Sequence, residues 1–226
     1  MHLLIPAAGV GKRMGADGNK LLLPLLHQSI LGWTLKAAAA ASTVEWIGII
    51  CQAMDQPAFT EIVAQLGMDK PLVFIPGGDT RQASVYNGLQ ALPAHAQQVL
   101  IHDGARCLAT PALFDRCTAA FDHCQGFIAA VPVKDTIKQV NGSGMITATL
   151  ARSQLWAAQT PQGFDVALLM EAHAKGQSQG WSVTDDAALF EKCGLTVHIV
   201  EGEDTNLKVT TPVDLAIAEF ILSQRL

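Results

Sequence analysis

The sequence predicts an α/β fold in which helices cover both faces of a doubly wound, mostly parallel sheet. Apolar runs alternate with helical patterns along the chain, and several runs lack polar residues, as in strands buried on both faces. Half of the 226 residues are apolar, which is enough for a sizeable core in a single domain, residues 1–226. The candidate strands are Leu3–Ile5, Trp46–Cys51, Leu72–Ile75, Val99–His102, Phe127–Val131 and Val197–Val200.

A repeated Thr-Pro pair indicates where helices begin. Threonine is a favoured N-cap and proline a favoured first helical residue. Helices are therefore expected to start at Thr110-Pro111, Thr160-Pro161 and Thr211-Pro212, and the last pair opens an amphipathic segment, Val213–Leu222. In such a sheet, ligands bind at the carboxyl ends of the strands, where the winding changes direction.

The segment from Lys134 to Leu150 breaks this alternation. Two β-like runs, Thr136–Val140 and Met145–Leu150, flank Asn141–Gly144, which has the composition of a turn. An isolated hairpin is only marginally stable in water, so it must pack on something. The sequence leaves two alternatives open: the hairpin joins the main sheet, or it reaches a second subunit.

The composition excludes several classes of protein. A net charge of −5 and a pI near 5.7 argue against a nucleic-acid binder, which normally carries a basic excess. No signal-like start and no apolar stretch of membrane-spanning length is present. Five cysteines without a C-x-x-C pair argue against disulfides and a structural zinc site. We therefore expect free thiols and a cytoplasmic location.

A loop rich in glycine and alanine, Pro6–Gly15, follows the first strand, and Asn19 and Lys20 come soon after it. Backbone amides of such a loop can cradle phosphate oxygens, and Arg13 and Lys20 would add positive charge. The glycine spacing does not match the dinucleotide-binding fingerprint, and Lys12 lacks the following Ser or Thr of a P-loop. Phosphate binding is favoured over a purely structural turn, and an NAD-dependent oxidoreductase is disfavoured.

The segment Gly77–Val85 leads from a predicted strand into a helix. One interpretation is an ordinary strand-to-helix turn capped by Asp79 or Thr80. In the other, the paired glycines admit a flat base close to the backbone, and Asp79 and Ser84 bond its edge.

Two further polar clusters allow a structural and a functional interpretation. In Ile101–Arg106, Asp103 could hold a metal or a hydroxyl and Arg106 a phosphate, or the two could form an ion pair. A backbone-bonded role is favoured for the neighbouring His102 over that of a general base. Further along, Asp185 and Asp186 are expected to complement a helix dipole.

Taken together and in order, these segments closely resemble the 2-C-methyl-D-erythritol 4-phosphate cytidylyltransferases of the non-mevalonate isoprenoid pathway. The resemblance runs from Pro6 to Ala216, nearly the whole chain. Its specific segments are Gly77–Arg81, His102–Arg106, Asp135–Lys138, Gln159–Gln162, Thr184–Ala187 and Asn206–Thr211.

The resemblance implies a Rossmann-like nucleotidyltransferase fold that transfers CMP from CTP to the phosphate of 2-C-methyl-D-erythritol 4-phosphate. The products would be 4-diphosphocytidyl-2-C-methyl-D-erythritol and pyrophosphate, with Mg²⁺ or another divalent cation bound mainly through the CTP phosphates. It also implies that residues 134–158 form a protruding β-hairpin arm exchanged across a homodimer. Nucleic acid and membrane partners are not expected.

Each implied site residue has a role by this resemblance. The nucleotide-binding residues are Ala7, Ala8, Gly9, Gly78, Asp79, Ser84 and Gly104. The catalytic cations are Arg13, Lys20, Arg152 and Lys208. The acceptor-binding residues are Asp103, Arg106, Thr136, Thr160 and Thr184. Thr136 and Arg152 are expected to serve the neighbouring subunit's site.

Some positions depart from the family pattern, and two rival functions stay open. Asn19 stands where the family usually has Pro, Gly104 where it usually has Ala, and Cys107 where it usually has Pro. None of these departures removes an implied cation or hydroxyl. The rivals are a cytidylyltransferase for another polyol phosphate, such as ribitol 5-phosphate, and a non-catalytic nucleotide-binding protein.

Overall fold

The computed structural model describes residues 1–9 and 18–225, which form one large sheet, two small sheets and seven α-helices. The strands are β1 His2–Pro6, β2 Pro24–Leu25, β3 Gln28–Ser29, β4 Trp46–Cys51, β5 Leu72–Pro76, β6 Gln98–Ile101, β7 Gly126–Pro132, β8 Lys138–Val140, β9 Ile146–Thr149, β10 Trp156–Asp165 and β11 His198–Glu201. The helices are α1 Ile30–Ala40, α2 Gln56–Leu66, α3 Arg81–Gln90, α4 Pro111–Ala119, α5 Val166–Ser178, α6 Ala187–Lys192 and α7 Pro212–Ser223.

The large sheet has the strand order β11-β7-β10-β6-β1-β4-β5. Neighbouring strands run parallel except at β10, which is antiparallel to β6 on one side and to β7 on the other. From β1 the order runs outward through β4 and β5 on one side and through β6, β7 and β11 on the other, as in a doubly wound sheet, with β10 inserted between β6 and β7. The predicted fold class is therefore confirmed, and all six predicted strands are present to within one or two residues.

Both faces of this sheet are covered by helices. Successive side chains of a strand point to opposite faces, so Leu3 and Ile5 of β1 belong to a core cluster with Leu31 of α1 and Phe114 of α4. Leu4 belongs to the other cluster, together with residues of α3, α5 and α6. This double burial explains why the central strands lack polar alternation in the sequence.

The helix predicted at Thr160-Pro161 is wrong, because both residues lie inside strand β10. Pairing with β7 shifts register between Ala158 and Gln162, and pairing with β6 begins only at Gln162. Pro161 therefore lies at an irregularity of the strand, where its missing N–H removes no hydrogen bond between strands. Proline is tolerated within a sheet at such positions. The other two Thr-Pro pairs start helices as predicted, with the Thr110 and Thr211 side chains as N-caps of α4 and α7.

The predicted hairpin forms strands β8 and β9, which pair with each other in a separate sheet. Asn141 holds its turn, since Oδ1 accepts from the backbone N–H groups of Ser143 and Met145 at 3.1 and 3.0 Å. Residues 156–158 of the predicted arm belong instead to β10, because they pair with residues 130–132 of the large sheet. The alternative in which the hairpin strands join the main sheet is thus wrong.

The five cysteines are free thiols, as the sequence predicts. Burial raises the pKa of Cys51 to about 11 and the pKa values of Cys107 and Cys117 to about 12, so these thiols stay protonated near neutral pH. Among the helices of the described residues, none has the length and apolarity required to cross a bilayer.

Candidate active site

A cavity of about 440 Å³ opens at the carboxyl ends of β1 and β6, where a doubly wound sheet is expected to bind its ligand. The start of α3 contributes Arg81 and Ser84 to its lining, and the segment before α7 contributes Lys208 and Thr210. Of the residues implicated from the sequence, those that line the cavity are Ala7, Ala8, Gly9, Lys20, Ser84, Asp103, Gly104 and Lys208.

The loop after β1 lies close to the turn at Gly77, and the missing side chain of this glycine makes the approach possible, whereas Gly78 packs closely against the start of α3. A Cβ at Gly77 would stand 2.6 Å from the Cβ of Ala8, and a Cβ at Gly78 would stand 2.6 Å from the Cβ of Ala83. Both distances are shorter than real Cβ contacts. The amide of Ala7 donates to the Ile50 carbonyl at 2.7 Å, which fixes the loop as it leaves the sheet.

Ser84 connects the second loop to the cavity. Its side chain is 4% exposed, and its Oγ accepts from the Gly78 N–H at 3.0 Å. Thr80, rather than Asp79, caps α3, since its hydroxyl accepts from the Ala83 N–H at 3.0 Å. Gly78 and the exposed Asp79 lie next to this lining but are not part of it.

Lys20 is the first residue of a short 3-10 helix, Lys20–Leu22, and lines the cavity. Its Nζ donates to the Val209 carbonyl at 2.7 Å, which places the ammonium near the segment that carries Lys208. A lysine ammonium in this position is a suitable partner for phosphate oxygens. Arg13, the other cation predicted in this loop, lies outside the described residues.

Asp103 and Lys208, which both line the cavity, form an ion pair. Nζ of Lys208 lies 2.8 Å from Oδ2 of Asp103, and Nε of Arg106 lies 3.8 Å from the same oxygen. Arg106 also donates to the backbone carbonyls of Asn206 and Ala158, at 2.6 and 3.2 Å. Its guanidinium therefore ties the Asp103 loop to the Lys208 segment instead of lining the cavity.

The carboxylate of Asp103 stays ionised despite its position. Burial acts to raise its pKa, but the charge and hydrogen bond of Lys208 and the charges of Arg81 and Arg106 outweigh burial and hold the pKa below its usual value. The cavity thus contains one ionised carboxylate beside cations, an arrangement that can accept hydrogen bonds from hydroxyls while the cations attract phosphate.

Arg81 was not assigned a site role from the sequence, although it lines the cavity. Its Nη2 lies 2.8 Å from Oδ2 of Asp186, and Asp186 also bonds Nε2 of His173 at 3.1 Å. Burial acts to raise the pKa of Asp186, but the charge of Arg81 and the His173 hydrogen bond hold it below its usual range. The expected helix-dipole role fits Asp185, whose Oδ1 accepts from the Ala188 N–H at 3.1 Å.

One sequence signal could have revealed Arg81. It is the first residue of α3, and a cation at a helix N-terminus opposes the helix dipole. Such a residue needs a partner, which here comes from the distant residue Asp186.

His102 has the structural role expected from the sequence. Its Nε2 lies 3.2 Å from the Arg106 carbonyl oxygen, and its Nδ1 lies 3.0 Å from the Thr160 hydroxyl. Burial lowers its pKa to about 4, so the ring is neutral near pH 7. Thr160 is also buried, and its hydroxyl accepts from the Asp103 N–H at 3.0 Å, so it positions the Asp103 loop.

Three predicted residues lie away from the cavity in this chain. Thr136, Arg152 and Thr184 are exposed, and none of them lines it. Arg152 donates to the Lys134 carbonyl at 2.7 Å across the base of the hairpin. These three side chains are therefore not part of the described cavity lining of their own chain.

The described cavity lining offers one carboxylate, Asp103, to a divalent cation. No group of three or more His, Cys, Asp or Glu side chains that could hold a metal ion occurs in the described part of the chain. This donor set fits Mg²⁺ that is held chiefly by substrate phosphates, a common arrangement for that ion.

A doubly wound sheet with the Ala7–Gly9 segment and two lysines around a cavity at its strand ends fits a nucleotidyltransferase, and the family match assigns the chain to that class. Residues 1–224 match the family described as 2-C-methyl-D-erythritol 4-phosphate cytidylyltransferase. A protein of that description from Synechocystis sp. is 68% identical over 225 residues, covering 100% of this chain and 98% of its own length.

Solved structures agree with this assignment. The 4-diphosphocytidyl-2C-methyl-D-erythritol synthase of Anaerococcus prevotii superposes with a TM-score of 0.88 at 29% identity, covering 98% of this chain and 95% of that chain. The 2-C-methyl-D-erythritol 4-phosphate cytidylyltransferase of Thermus thermophilus gives 0.77 at 34% identity, covering 98% of each chain. The chain belongs to the 2-C-methyl-D-erythritol 4-phosphate cytidylyltransferase family, an enzyme family of isoprenoid biosynthesis, and the predicted family is confirmed.

Proposed function

We propose that the cavity at the ends of β1 and β6 carries out the reaction of this family. In that reaction CMP passes from CTP to the phosphate of 2-C-methyl-D-erythritol 4-phosphate, and 4-diphosphocytidyl-2-C-methyl-D-erythritol and pyrophosphate are formed. The single observation that supports this location most strongly is the convergence of Lys20, Arg81 and Lys208 on a cavity lined by the Ala7–Gly9 backbone.

The chemistry places few demands on acid–base groups. A substrate phosphate is already anionic near pH 7, so its attack on the α-phosphorus of CTP needs no protein base. The difficulty is to bring two anions together and to stabilise the charge of an in-line transition state, which positioned cations can do. The buried, neutral His102 is consistent with this, because both of its ring nitrogens already have partners.

The residues around the cavity divide between the two substrates in this proposal. Ala7, Ala8, Gly9 and Gly104 bind the nucleotide by their backbone, and Gly78, Asp79 and Ser84 contact its base, with the Ser84 hydroxyl also fixing Gly78. Lys20, together with Arg13, binds the triphosphate and stabilises charge at the α-phosphorus. Mg²⁺ bound to the triphosphate supplies further neutralisation of its charge.

Asp103 and Lys208 bind the acceptor. Lys208 attracts its phosphate, and the carboxylate of Asp103 accepts hydrogen bonds from its hydroxyls. Arg106 and Thr160 keep the Asp103 loop in position through the contacts described above. The family resemblance adds Thr184, from the segment before α6, to the acceptor-binding residues, although its side chain does not line the described cavity.

The hairpin is proposed to act in a neighbouring copy of this chain, as a homodimerisation arm. Val140, Met145 and Ile146 are 54%, 63% and 64% exposed on it, an apolar surface that a partner would cover. Thr136 and Arg152, which lie away from their own cavity, would then complete the partner's site. The free, buried thiols support a reducing, cytoplasmic location.

The substrate assignment is tested by one panel of reactions. Purified protein with Mg²⁺ is given each of the four ribonucleoside triphosphates and either 2-C-methyl-D-erythritol 4-phosphate or ribitol 5-phosphate. Pyrophosphate release and product mass are measured. We expect product from CTP with methylerythritol phosphate at a rate far above every other pair. Absence of that product, or equal use of ribitol 5-phosphate, would contradict the proposal.

A further inference from the structure

Asn19 connects three parts of the molecule around the loop that precedes Lys20. Its side chain is 6% exposed, and its Oδ1 accepts from the Leu21 N–H at 3.1 Å. Its Nδ2 donates to the Ala7 carbonyl at 2.7 Å and to Oδ2 of Asp55 at 2.8 Å. Both hydrogens of the amide and its oxygen are therefore engaged.

These contacts join two segments that line the cavity, the loop at Ala7 and the turn that carries Lys20. Ala7 belongs to the backbone loop that lines it, and that loop is fixed to β4 by the bond from the Ala7 amide to Ile50. Leu21 belongs to the 3-10 helix that carries Lys20. Asp55 is the N-cap residue of α2, and its own amide donates to the Gln52 carbonyl at 3.0 Å.

We propose that Asn19 is a positioning residue that sets the distance between the nucleotide-binding backbone at Ala7 and the ammonium group of Lys20. This inference rests on the proposed role of Lys20 in the transfer. A side-chain amide suits the position because one short group both donates twice and accepts once. Aspartate has the same shape, but its carboxylate would face the Ala7 carbonyl and the Asp55 carboxylate with no hydrogen to donate.

The position of Lys20 matters because it must meet charge that develops only in the transition state. A displacement of about 1 Å in a catalytic group can lower a rate by about a hundredfold. Loss of the Asn19 bonds frees the Lys20 turn from the loop at Ala7 without removing either group. The effect should therefore fall on kcat and on the KM for CTP, and not on the KM for the acceptor.

The first test is a double-mutant cycle of Asn19→Ala and Lys20→Ala, measured by steady-state kinetics with CTP and methylerythritol phosphate. We expect Asn19→Ala alone to lower kcat about tenfold to a hundredfold and to raise the KM for CTP. The KM for methylerythritol phosphate should change by less than about twofold. In the Lys20→Ala background, Asn19→Ala should lower kcat by less than about twofold more, because the two residues act as a unit.

The outcomes separate this inference from the proposed function. A near-normal kcat for Lys20→Ala would overturn the role of Lys20 and this inference together. A severe loss for Lys20→Ala, combined with an undiminished effect of Asn19→Ala in that background, would overturn only the positioning role. An equal rise in both KM values would also overturn it, since general loosening of the site would move both.

A second set of variants keeps the test valid if Asn19→Ala folds poorly. Asn19→Asp should lower kcat strongly, and Asn19→Asp combined with Asp55→Asn should recover part of that loss. The recovery is partial because the exchanged pair restores the bond to residue 55 but leaves a carboxylate facing the Ala7 carbonyl. A double variant no faster than Asn19→Asp would contradict the participation of Asp55.

Asn87→Ala is a matched control. The Asn87 amide also donates to a backbone carbonyl at the end of a neighbouring strand, Pro76 of β5, at 3.0 Å. We expect its kcat to stay within about twofold of the parent. A loss equal to that of Asn19→Ala would assign the effect to strand-end packing in general and overturn the inference.

Discussion

Lys208 has two contacts to make: it pairs with Asp103 in the site without substrate, and it is proposed to bind the phosphate of the acceptor. Its ammonium neutralises Asp103 at 2.8 Å, yet the side chain is 42% exposed and remains accessible to a phosphate. Because the pair is partly solvated, it contributes little to stability. Its contribution should instead be to substrate binding.

Substitution of Lys208 by Ala should therefore raise the KM for methylerythritol phosphate by about tenfold or more, the usual effect of losing a charged hydrogen bond. The KM for CTP should change by less than about twofold. Initial rates over a matrix of both substrates measure these constants. Lys134→Ala, which removes a surface ion pair with Asp204, is the control, and unchanged constants in Lys208→Ala would contradict its acceptor-binding role.

Burial of His102 should make the stability of the fold depend on pH, independently of catalysis. Its folded pKa of about 4 lies below the usual value of 6.5, so the unfolded chain binds the proton more readily. Stability should then fall as pH drops from about 6.5 to about 4, by at most about 3 kcal/mol.

Urea unfolding of the parent and of His102→Gln across that pH range measures this effect. The other titrating groups, including Asp103 and Asp186, are present in both proteins, so the difference in slope belongs to His102. We expect the variant to show a shallower loss of stability with falling pH. Parallel curves would show that His102 is not held neutral by the fold.

At the level of elements, α7 has the most complete N-terminal cap in the described chain. The hydroxyl of Thr211 accepts from the Asp214 N–H at 3.3 Å, and the Asp214 carboxylate accepts from the Thr211 N–H at 2.8 Å. This reciprocal pair forms a capping box. The helix also follows directly on the Lys208 segment, so its start fixes part of the cavity.

Thr211→Ala should reduce the unfolding free energy by about 1 kcal/mol, the usual effect of losing an N-cap side chain. Chemical denaturation at neutral pH measures the change. Ser223→Ala, at the last residue of the same helix, should stay within about 0.5 kcal/mol of the parent. A Thr211→Ala value as small as that control would show that Asp214 maintains the cap without the hydroxyl.

The central strands could be predicted from sequence because burial on both faces removes polar residues from them. Strand β10 could not, since Thr160-Pro161 has the local composition of a helix start and only pairing with β6 and β7 makes it a strand. Among the site residues, the loop glycines and the charged residues at strand ends could be predicted, because the local sequence around them is distinctive. The Arg81–Asp186 pair has no such signal beyond a cation at a helix N-terminus, because the fold joins residues far apart in the chain.

At the scale of the whole molecule, the proposed dimer has two composite sites. Each site would combine Lys20 of one subunit with Arg152 of the other. A protein lacking either residue is then impaired at both sites, but a mixed dimer of the two variants regains one intact site.

Mixing Lys20→Ala and Arg152→Ala proteins, after subunit exchange, should restore about a quarter of parental activity, because half of randomly paired dimers are mixed and each has one intact site. Activity of the mixture against each variant alone is the measurement. The control is a protein carrying both substitutions, which should not be restored by either single variant beyond that variant's own rate. No gain on mixing would contradict sharing of Arg152 between subunits.

The pairing of β10 with β7 has a consequence for how the arm is attached. Trp156 lies opposite Pro132, and the Val133 amide donates to the Leu155 carbonyl at 3.0 Å, so the chain leaves the sheet and returns to it at one point. The arm is therefore inserted between two adjacent, paired strand ends, which a short turn could connect. Replacing residues 135–153 with a short turn should leave a protein with near-parental circular dichroism that sediments as a monomer. If the shortened protein fails to fold, the arm is required for folding of the domain.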